Sequence, residues 1–305
     1  MPTVAQQLSA LTQLFRVKPV LSWGVSSLLL GGAVATSRVG LGELNLVNGG
    51  LAVVLVLVAQ GVVSHGINDA YDWLTGTDKA SIGKGTGGSR VIPQGKMTVE
   101  GTLVASLAGI FVIALISAHF LSEYGVPMIV LGAIAIWSPV AYSTPPLKLG
   151  YRPFNELVVV LPALVGVVIG TDMVLAGSIS PFAAAVGTVH ALFCISWFVV
   201  SRVPDYEPDR RVGKITSVVY VGRDNAALLS SGYLALGLAA AVVVAAFNPF
   251  VLPITVASWA VMMVGLSQLD AYDPENASEI RLRNMHTTTA HAVGLAIIIA
   301  VVGGV

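Results

Sequence analysis

The sequence predicts an all-α, polytopic membrane protein, and its composition carries that prediction. Of the 305 residues, 55% are hydrophobic and only 10% are charged, whereas soluble domains carry about a quarter charged residues. The mean hydropathy is +0.83. The formal net charge is zero, so we expect no basic surface for nucleic acid and no nucleic-acid partner.

Nine apolar stretches are long enough to serve as membrane-spanning helices, each of which needs about 20 residues. They belong to one predicted transmembrane domain, residues 1–305. The nine stretches are 19–37, 47–69, 100–121, 125–143, 155–175, 181–203, 226–246, 250–268 and 286–304.

The positions of the basic residues support a count of nine. Fifteen of the sixteen Lys and Arg residues lie before the first predicted helix or in and beside the gaps after even-numbered helices; Arg38 is the exception. Basic residues mark the cytoplasmic side of a membrane protein. We therefore expect an integral protein of the cell membrane with a cytoplasmic N-terminus and an outside C-terminus.

The N-terminal residues 1–16 are expected to form an interfacial helix. Apolar side chains recur at helical spacing over residues 4–15, and glutamines lie between them. Such a pattern is typical of a helix lying on the membrane surface. A cytoplasmic helix packed on the rest of the protein fits the pattern equally well.

A polar cluster follows the second predicted helix over residues 68–78. It contains Asn68, Asp69, Asp72 and Asp78. Asn68 and Asp72 are four residues apart and share one helical face. Acidic groups at the end of an apolar helix are costly unless their charge is balanced. Oxygen ligands of this kind suit Mg²⁺, which usually keeps waters and adds substrate phosphate.

A second acidic cluster follows the sixth predicted helix over residues 205–216. Asp205 and Asp209 repeat the four-residue spacing, and basic residues follow them. One such cluster alone is commonly a solvated helix end, but two on the same side favour a shared site for metal and diphosphate. Arg210 and Lys214 are expected to bind phosphate. The expected metal ligands are Asn68, Asp69, Asp72, Asp78, Asp205 and Asp209.

The two clusters resemble the paired aspartate-rich motifs of the UbiA superfamily of intramembrane prenyltransferases. Segment 68–78 is similar to the first motif, with the acid spacing of menaquinone-pathway members, and segment 205–216 is similar to the second. The resemblance covers nearly the whole chain. It implies a bundle of nine helices around a central cavity that faces lipid.

The resemblance also implies a mechanism. Mg²⁺ held by both motifs would bind the diphosphate of a prenyl diphosphate donor, and ionisation would give an allylic cation that alkylates an aromatic or lipid acceptor. Such a cation needs a dry pocket. The catalytic residues implied in this way are Asn68, Asp72, Asp205, Asp209, Tyr142 and Lys148, and Asn68 and Lys148 also contact the donor.

Two cytoplasmic cap loops, residues 70–99 and 204–225, are expected to carry these motifs. The first is rich in glycine over residues 83–88, which favours a flexible cover over the site. Gly88-Ser89-Arg90 resembles the corresponding loop of menaquinone-pathway enzymes, and Arg90 is expected to bind substrate. Residues 90–95 also resemble part of the loop of archaeal ether-lipid prenyltransferases.

Several functions remain compatible with these residues. The preferred acceptor is a naphthoate- or hydroxybenzoate-type quinone precursor, and the alternative within the family is a glycerol-phosphate ether lipid. A cation-coupled transporter would also need intramembrane acids. Transporter sites usually lie near mid-bilayer, whereas these acids lie at helix ends, which argues against transport.

Overall fold

The structure, a computed structural model, describes residues 4–80 and 88–303. Within those ranges every regular element is a helix, which confirms the all-α prediction. Seven helices are long and apolar enough to cross a membrane, and two further apolar helices, Pro127–Ser143 and Val251–Leu266, are shorter. The protein is therefore an integral membrane protein, while the count of nine crossing helices stays a prediction.

The helices are numbered in chain order, with π and 3₁₀ turns included in the longer ones. They are α1 (Val4–Phe15), α2 (Val17–Val39), α3 (Leu46–Thr75), α4 (Thr77–Ala80), α5 (Val99–Tyr124), α6 (Pro127–Ser143), α7 (Glu156–Ala176), α8 (Pro181–Ser201), α9 (Tyr206–Arg211), α10 (Ser217–Val221), α11 (Arg223–Ala245), α12 (Val251–Leu266) and α13 (Pro274–Val302).

Two long helices extend beyond the ends predicted from hydropathy. Helix α3 runs six residues past position 69 and ends at Thr75, and the next residue, Gly76, has a positive φ of 90° that glycine adopts without strain. Helix α13 begins at Pro274, twelve residues before position 286, because the Asp273 side chain accepts hydrogen bonds from the backbone N–H groups of Glu275 and Asn276. Both extensions carry polar residues, which is why hydropathy missed them.

The largest apolar core lies among α2, α8, α11, α12 and α13. Phe193, Leu234, Met262 and Leu295 are almost completely buried there. Helices α3, α5, α6 and α7 contribute to smaller apolar clusters. Helix α2 also packs closely on α7. The two helices approach so closely at Gly31 that a Cβ added there would lie only 2.6 Å from the Val168 carbonyl oxygen.

Helix α1 packs by one face on the segment 88–97. Leu14 is fully buried against Val91 and Ile92, whereas Leu8 on the same helix is 59% exposed. The expected helix at the N-terminus is therefore present, with a packed face and an open face. Residues 83–87, the first part of the glycine-rich stretch, lie outside the described residues. The second expected cap, 204–225, contains the short helices α9 and α10.

Candidate active site

A polar cavity of about 430 Å³ lies where the two acidic clusters meet. The ends of α3 and α8 bring the clusters together with α4 and α9. Five of the six residues predicted as metal ligands line this one cavity. They are Asn68, Asp72, Asp78, Asp205 and Asp209.

Lys214 joins the two clusters electrostatically. Its Nζ lies 3.0 Å from Asp72 Oδ2 and 3.7 Å from Asp209 Oδ1, and the residue is only 2% exposed. Burial would lower the pKa of Lys214, but the two carboxylates outweigh burial and raise it. Lys214 is therefore held as a cation between the first and second motifs.

Asp72 is oriented by a tyrosine that the sequence analysis did not single out. Tyr151 Oη donates a hydrogen bond to Asp72 Oδ1 at 2.6 Å, and Asn68 Nδ2 donates to Asp72 Oδ2 at 3.2 Å. Thr75 Oγ1 lies 2.6 Å from the same tyrosine hydroxyl. Tyr151 belongs to a 3₁₀ turn after α6, 79 residues away in sequence, so no local pattern could have indicated this contact.

Two further carboxylates are buried in surroundings that disfavour their charge. Asp78 is 5% exposed, and burial together with the nearby Asp72 and Asp69 raises its pKa to about 7. Burial raises the pKa of Asp209 to about 7 as well, although Lys214 opposes the shift. Asp209 Oδ2 is buried without a hydrogen-bond partner. Crowded carboxylates with a spare oxygen fit a divalent cation.

The chemistry of these donors fits Mg²⁺. Every candidate side chain offers oxygen, the donor that hard cations prefer. Within residues 4–80 and 88–303, no three Asp, Glu, His or Cys side chains are grouped so that they could hold a metal ion as they stand. Lys214 instead occupies the space between Asp72 and Asp209.

Asp69 lies beside the cavity, close to Asp78, and its carboxylate has partners of its own. Its Oδ1 accepts a hydrogen bond from the Arg16 guanidinium, and its Oδ2 accepts hydrogen bonds from the backbone N–H (3.1 Å) and hydroxyl of Ser89. Asp69 is not among the residues that line the cavity. The carboxylate instead ties the start of α2 to segment 88–97.

The predicted phosphate-binding residues are only partly at the cavity. Lys214 lines it, but Lys148, Arg90 and Arg210 do not. Lys148 Nζ lies 5.3 Å from the centre of the Tyr151 ring, and Arg210 is exposed on α9. Among the residues that the structure describes, the Lys and Arg side chains that line the cavity besides Lys214 are Arg16, Arg202 and Arg281.

Arg202 and Arg281 are the principal omissions of the sequence analysis. Arg202 donates a hydrogen bond to Tyr142 Oη, and its guanidinium lies 4.5 Å from the Phe198 ring centre. Tyr142 lines the cavity, as its predicted role requires. Arg202 precedes Asp205 by three residues, a spacing that could have indicated it. Arg281 lies on the polar extension of α13 and could be found only after that extension was known.

The polar cavity adjoins an apolar one. Aromatic rings of Trp23, Trp197 and Phe198 line the polar cavity and pack edge to face, with centroid distances of 4.9 and 5.1 Å. A second cavity, of about 110 Å³ and mainly apolar, lies among α3, α5, α6 and α7. The residues that line both cavities are Gln60, Ser64, Ser138, Pro139 and Ala163.

Comparison with known protein families identifies the family to which this chain belongs. The model of the UbiA prenyltransferase family matches residues 25–288. This chain belongs to that family. The family match includes both acidic clusters and all but the ends of the helical bundle. It does not single out menaquinone-pathway members.

Solved structures of UbiA-family proteins share the fold. A UbiA homolog from Archaeoglobus fulgidus, solved with GPP and Mg²⁺, superposes with a TM-score of 0.66 at 16% identity, over 94% of this chain and 99% of that one. A digeranylgeranylglyceryl phosphate synthase structure gives a TM-score of 0.61 at 14% identity, over 95% and 99%.

A curated relative is a lycopene elongase/hydratase from Haloarcula japonica. It is 29% identical over 184 residues, which are 57% of this chain and 56% of that protein. The match therefore spans little more than half the length of the relative. The names of this relative and of the phosphate synthase thus denote different activities.

One ion pair of this family member lies apart from the polar cavity. Arg38 Nη1 lies 2.7 Å from Asp172 Oδ2 and 2.9 Å from the Ser178 carbonyl oxygen. Asp172 is completely buried. Arg38 thus supplies a partner to a carboxylate that would otherwise be buried without one.

Proposed function

We propose that this chain is a Mg²⁺-dependent prenyltransferase that transfers an isoprenyl group from a prenyl diphosphate to an acceptor in the membrane. The observation that carries the proposal is that a carboxylate-rich cavity and an apolar one lie side by side and share lining residues. A prenyl diphosphate has the same two parts, a charged head and an apolar tail. The Archaeoglobus fulgidus homolog, which was solved with GPP and with DMAPP in the presence of Mg²⁺, supports the same donor class.

The polar cavity supplies both signs of charge to the donor head. The five predicted ligands that line the cavity, Asn68, Asp72, Asp78, Asp205 and Asp209, would hold Mg²⁺, which neutralises diphosphate charge when bound. Lys214 stands between the two motifs. Its fixed positive charge stabilises a departing diphosphate more than the intact ester, and such differential binding accelerates ionisation.

The aromatic side chains of the polar cavity suit the second product of ionisation, the allylic cation. Trp23, Tyr142 and Phe198 line the same cavity as the acidic residues. Aromatic faces attract cations by about 0.5–2 kcal/mol each, more where water is excluded. These rings would stabilise an allylic cation, and the apolar lining would keep water from quenching it.

For the acceptor, we propose a naphthoate- or hydroxybenzoate-type quinone precursor as the first candidate, on the resemblance of the Gly88–Arg90 segment to menaquinone-pathway enzymes. An apolar polyene is the second candidate, because a curated relative is a lycopene elongase/hydratase. A glycerol-phosphate ether lipid remains the third. A polyene and an ether lipid are held by membranes, whereas a naphthoate or hydroxybenzoate is a small carboxylate that would enter the polar cavity from water.

The orientation is part of the proposal. We infer that the polar cavity, with the N-terminus, faces the cytoplasm, on the distribution of Lys and Arg residues. A cation-coupled transporter is disfavoured, because the cavity beyond the acids is lined mainly by apolar side chains and would not carry an ion across the bilayer.

The test is incubation of purified protein with Mg²⁺, geranyl, farnesyl and geranylgeranyl diphosphates, and each acceptor class separately. Products are identified by mass spectrometry. A prenylated naphthoate supports the first candidate, and a prenylated polyene or ether lipid replaces it by the second or third. No product with any pair, together with no release of diphosphate, contradicts the proposed function.

A further inference from the structure

Part of the apolar cavity is lined by helix backbone without side chains. On the side of α7, Gly166 and Gly170 line it, four residues apart on one helical face. Around them the lining is mainly Ala, Leu, Ile, Val, Met and Phe side chains. Neither glycine has a positive φ, so neither is required by the helix itself.

The space in front of these glycines is open to a side chain. A Cβ built at Gly166 would lie 3.6 Å from Leu131 Cδ2, and one at Gly170 would lie 3.6 Å from Leu131 Cδ1. Both are ordinary van der Waals contacts, so a methyl group would enter the cavity without displacing backbone. By contrast, a Cβ at Gly132, on α6, would lie only 3.0 Å from Ser117 Oγ.

The two glycines lie at different depths from the polar cavity. Ala163 lines both cavities. At 1.5 Å per residue along α7, Gly166 lies about 4.5 Å and Gly170 about 10.5 Å beyond Ala163. The far end of the apolar cavity is lined by Phe120 and Met128, each only 4% exposed.

We propose that Gly166 and Gly170 determine the length of the isoprenyl tail that the protein accepts. The inference rests on the proposed function, because it assigns the apolar cavity to the tail of the donor. A head held at the acidic clusters directs its tail past the shared residues and along α7. A side chain added at Gly166 would then obstruct a long tail near its beginning, and one at Gly170 would obstruct it further on.

The test measures binding of unreactive thiolodiphosphate analogues with geranyl and geranylgeranyl tails, in the presence of Mg²⁺ and without acceptor. The variants are Gly166→Leu, Gly170→Leu and, as a matched control, Gly232→Leu. Gly232 is a helical glycine on α11 that is exposed and has no atom within 4 Å of a built Cβ. Each variant is compared by the ratio of its two affinities, which does not depend on the fraction of folded protein.

We expect Gly166→Leu to weaken geranylgeranyl binding relative to geranyl binding by about tenfold or more, because methylenes of the longer tail lose their buried position. Gly170→Leu should change the ratio in the same direction but by less, and Gly232→Leu should keep the wild-type ratio.

If Gly166→Leu cannot be purified, the ratio for Gly166→Ala decides, with a smaller shift expected. An unchanged ratio in the α7 variants overturns the inference and indicates that the tail leaves the site by another route. If the wild type binds neither analogue, the proposed function is overturned as well.

Discussion

At the scale of single residues, the site is organised by a buried lysine between two acidic motifs. Lys214 contacts Asp72 and Asp209, which lie 137 residues apart in sequence. Two carboxylates so near each other repel unless a cation separates them. The lysine therefore keeps the two motifs together at one cavity.

Replacing Lys214 therefore tests how much of the site depends on it. We expect Lys214→Met to destabilise the protein by about 3–5 kcal/mol, because the substitution leaves buried carboxylates without their partner. Turnover should fall by about 100-fold or more, the scale of loss for a group that stabilises developing charge. Thermal unfolding in detergent and prenyl transfer are the measurements.

Arg210→Met is the matched control, because Arg210 lies four residues away in the same motif and is exposed. It should keep turnover within about threefold, as surface substitutions usually have small effects. Equal losses in the two variants would contradict the assignment of the central cation to Lys214.

A second residue-scale prediction concerns Tyr151. Tyr151→Phe removes the hydroxyl that donates to Asp72 Oδ1 at 2.6 Å but keeps the ring. Groups that orient metal-binding carboxylates typically change metal affinity or activity by about 10–100-fold. We therefore expect a higher Mg²⁺ concentration for half-maximal activity, measured by Mg²⁺ titration. Tyr220→Phe, at a position 63% exposed, should leave the titration unchanged, and the same result for Tyr151→Phe would refute its orienting role.

At the scale of elements, irregular turns in long helices shape the cavities. Three π turns interrupt α2, α3 and the start of α7, at Leu21–Val25, Val58–Ser64 and Glu156–Val160. Each contributes residues that line the polar cavity, among them Trp23 and Gln60. A π turn displaces side chains from regular helical positions and is frequent at functional sites. These turns thus direct residues inward from otherwise apolar helices.

The contact between α1 and segment 88–97 gives an element-scale prediction. Leu14→Ala should loosen the segment, because removing a fully buried leucine costs about 2–5 kcal/mol. Amide hydrogen exchange over residues 88–97 should then accelerate by about tenfold or more. Leu8→Ala, on the exposed face of the same helix, is the control and should not alter exchange. Equal exchange in both variants would mean that α1 does not hold the segment.

The sequence predicted the positions of the helices more completely than the residues of the site. Long apolar runs predicted the membrane helices, but they could not indicate that the polar residues after Asp273 continue α13 or that Arg281 therefore reaches the cavity. The paired acidic motifs predicted Asp72 and Asp209 at one place. The partner of Asp69 could not be predicted, because Arg16 precedes it by 53 residues and the contact depends on how α1 and α2 pack.

At the scale of the whole molecule, charge is segregated along the bundle. The acidic and basic residues of the site gather around one cavity, and the apolar cavity extends from it between helices. A membrane protein with this arrangement can bind a charged head from water while its tail stays out of water. The orientation inferred from basic residues sets which compartment supplies the head.

Cysteine labelling tests that orientation. The single native cysteine, Cys194, is completely buried, so an introduced cysteine can be labelled selectively. Lys96→Cys should react with a membrane-impermeant maleimide only after the cells are opened, and Glu43→Cys should react in intact cells, because the two exposed positions lie in gaps of opposite predicted side. Labelling of both from the same side would contradict the topology.

The central claim is that two acidic clusters at one cavity drive Mg²⁺-dependent ionisation of a prenyl diphosphate. The most direct test measures the release of diphosphate from geranyl diphosphate in a single turnover with a competent acceptor. Wild-type protein should release diphosphate with Mg²⁺ and not with EDTA. Asp72→Ala and Asp209→Ala should each lose about 100-fold or more of the rate, since removing a ligand disables charge stabilisation at the leaving group. The exposed acid variant Glu100→Ala should match the wild type. Release that persists in EDTA, or at wild-type rates in both aspartate variants, would contradict the account.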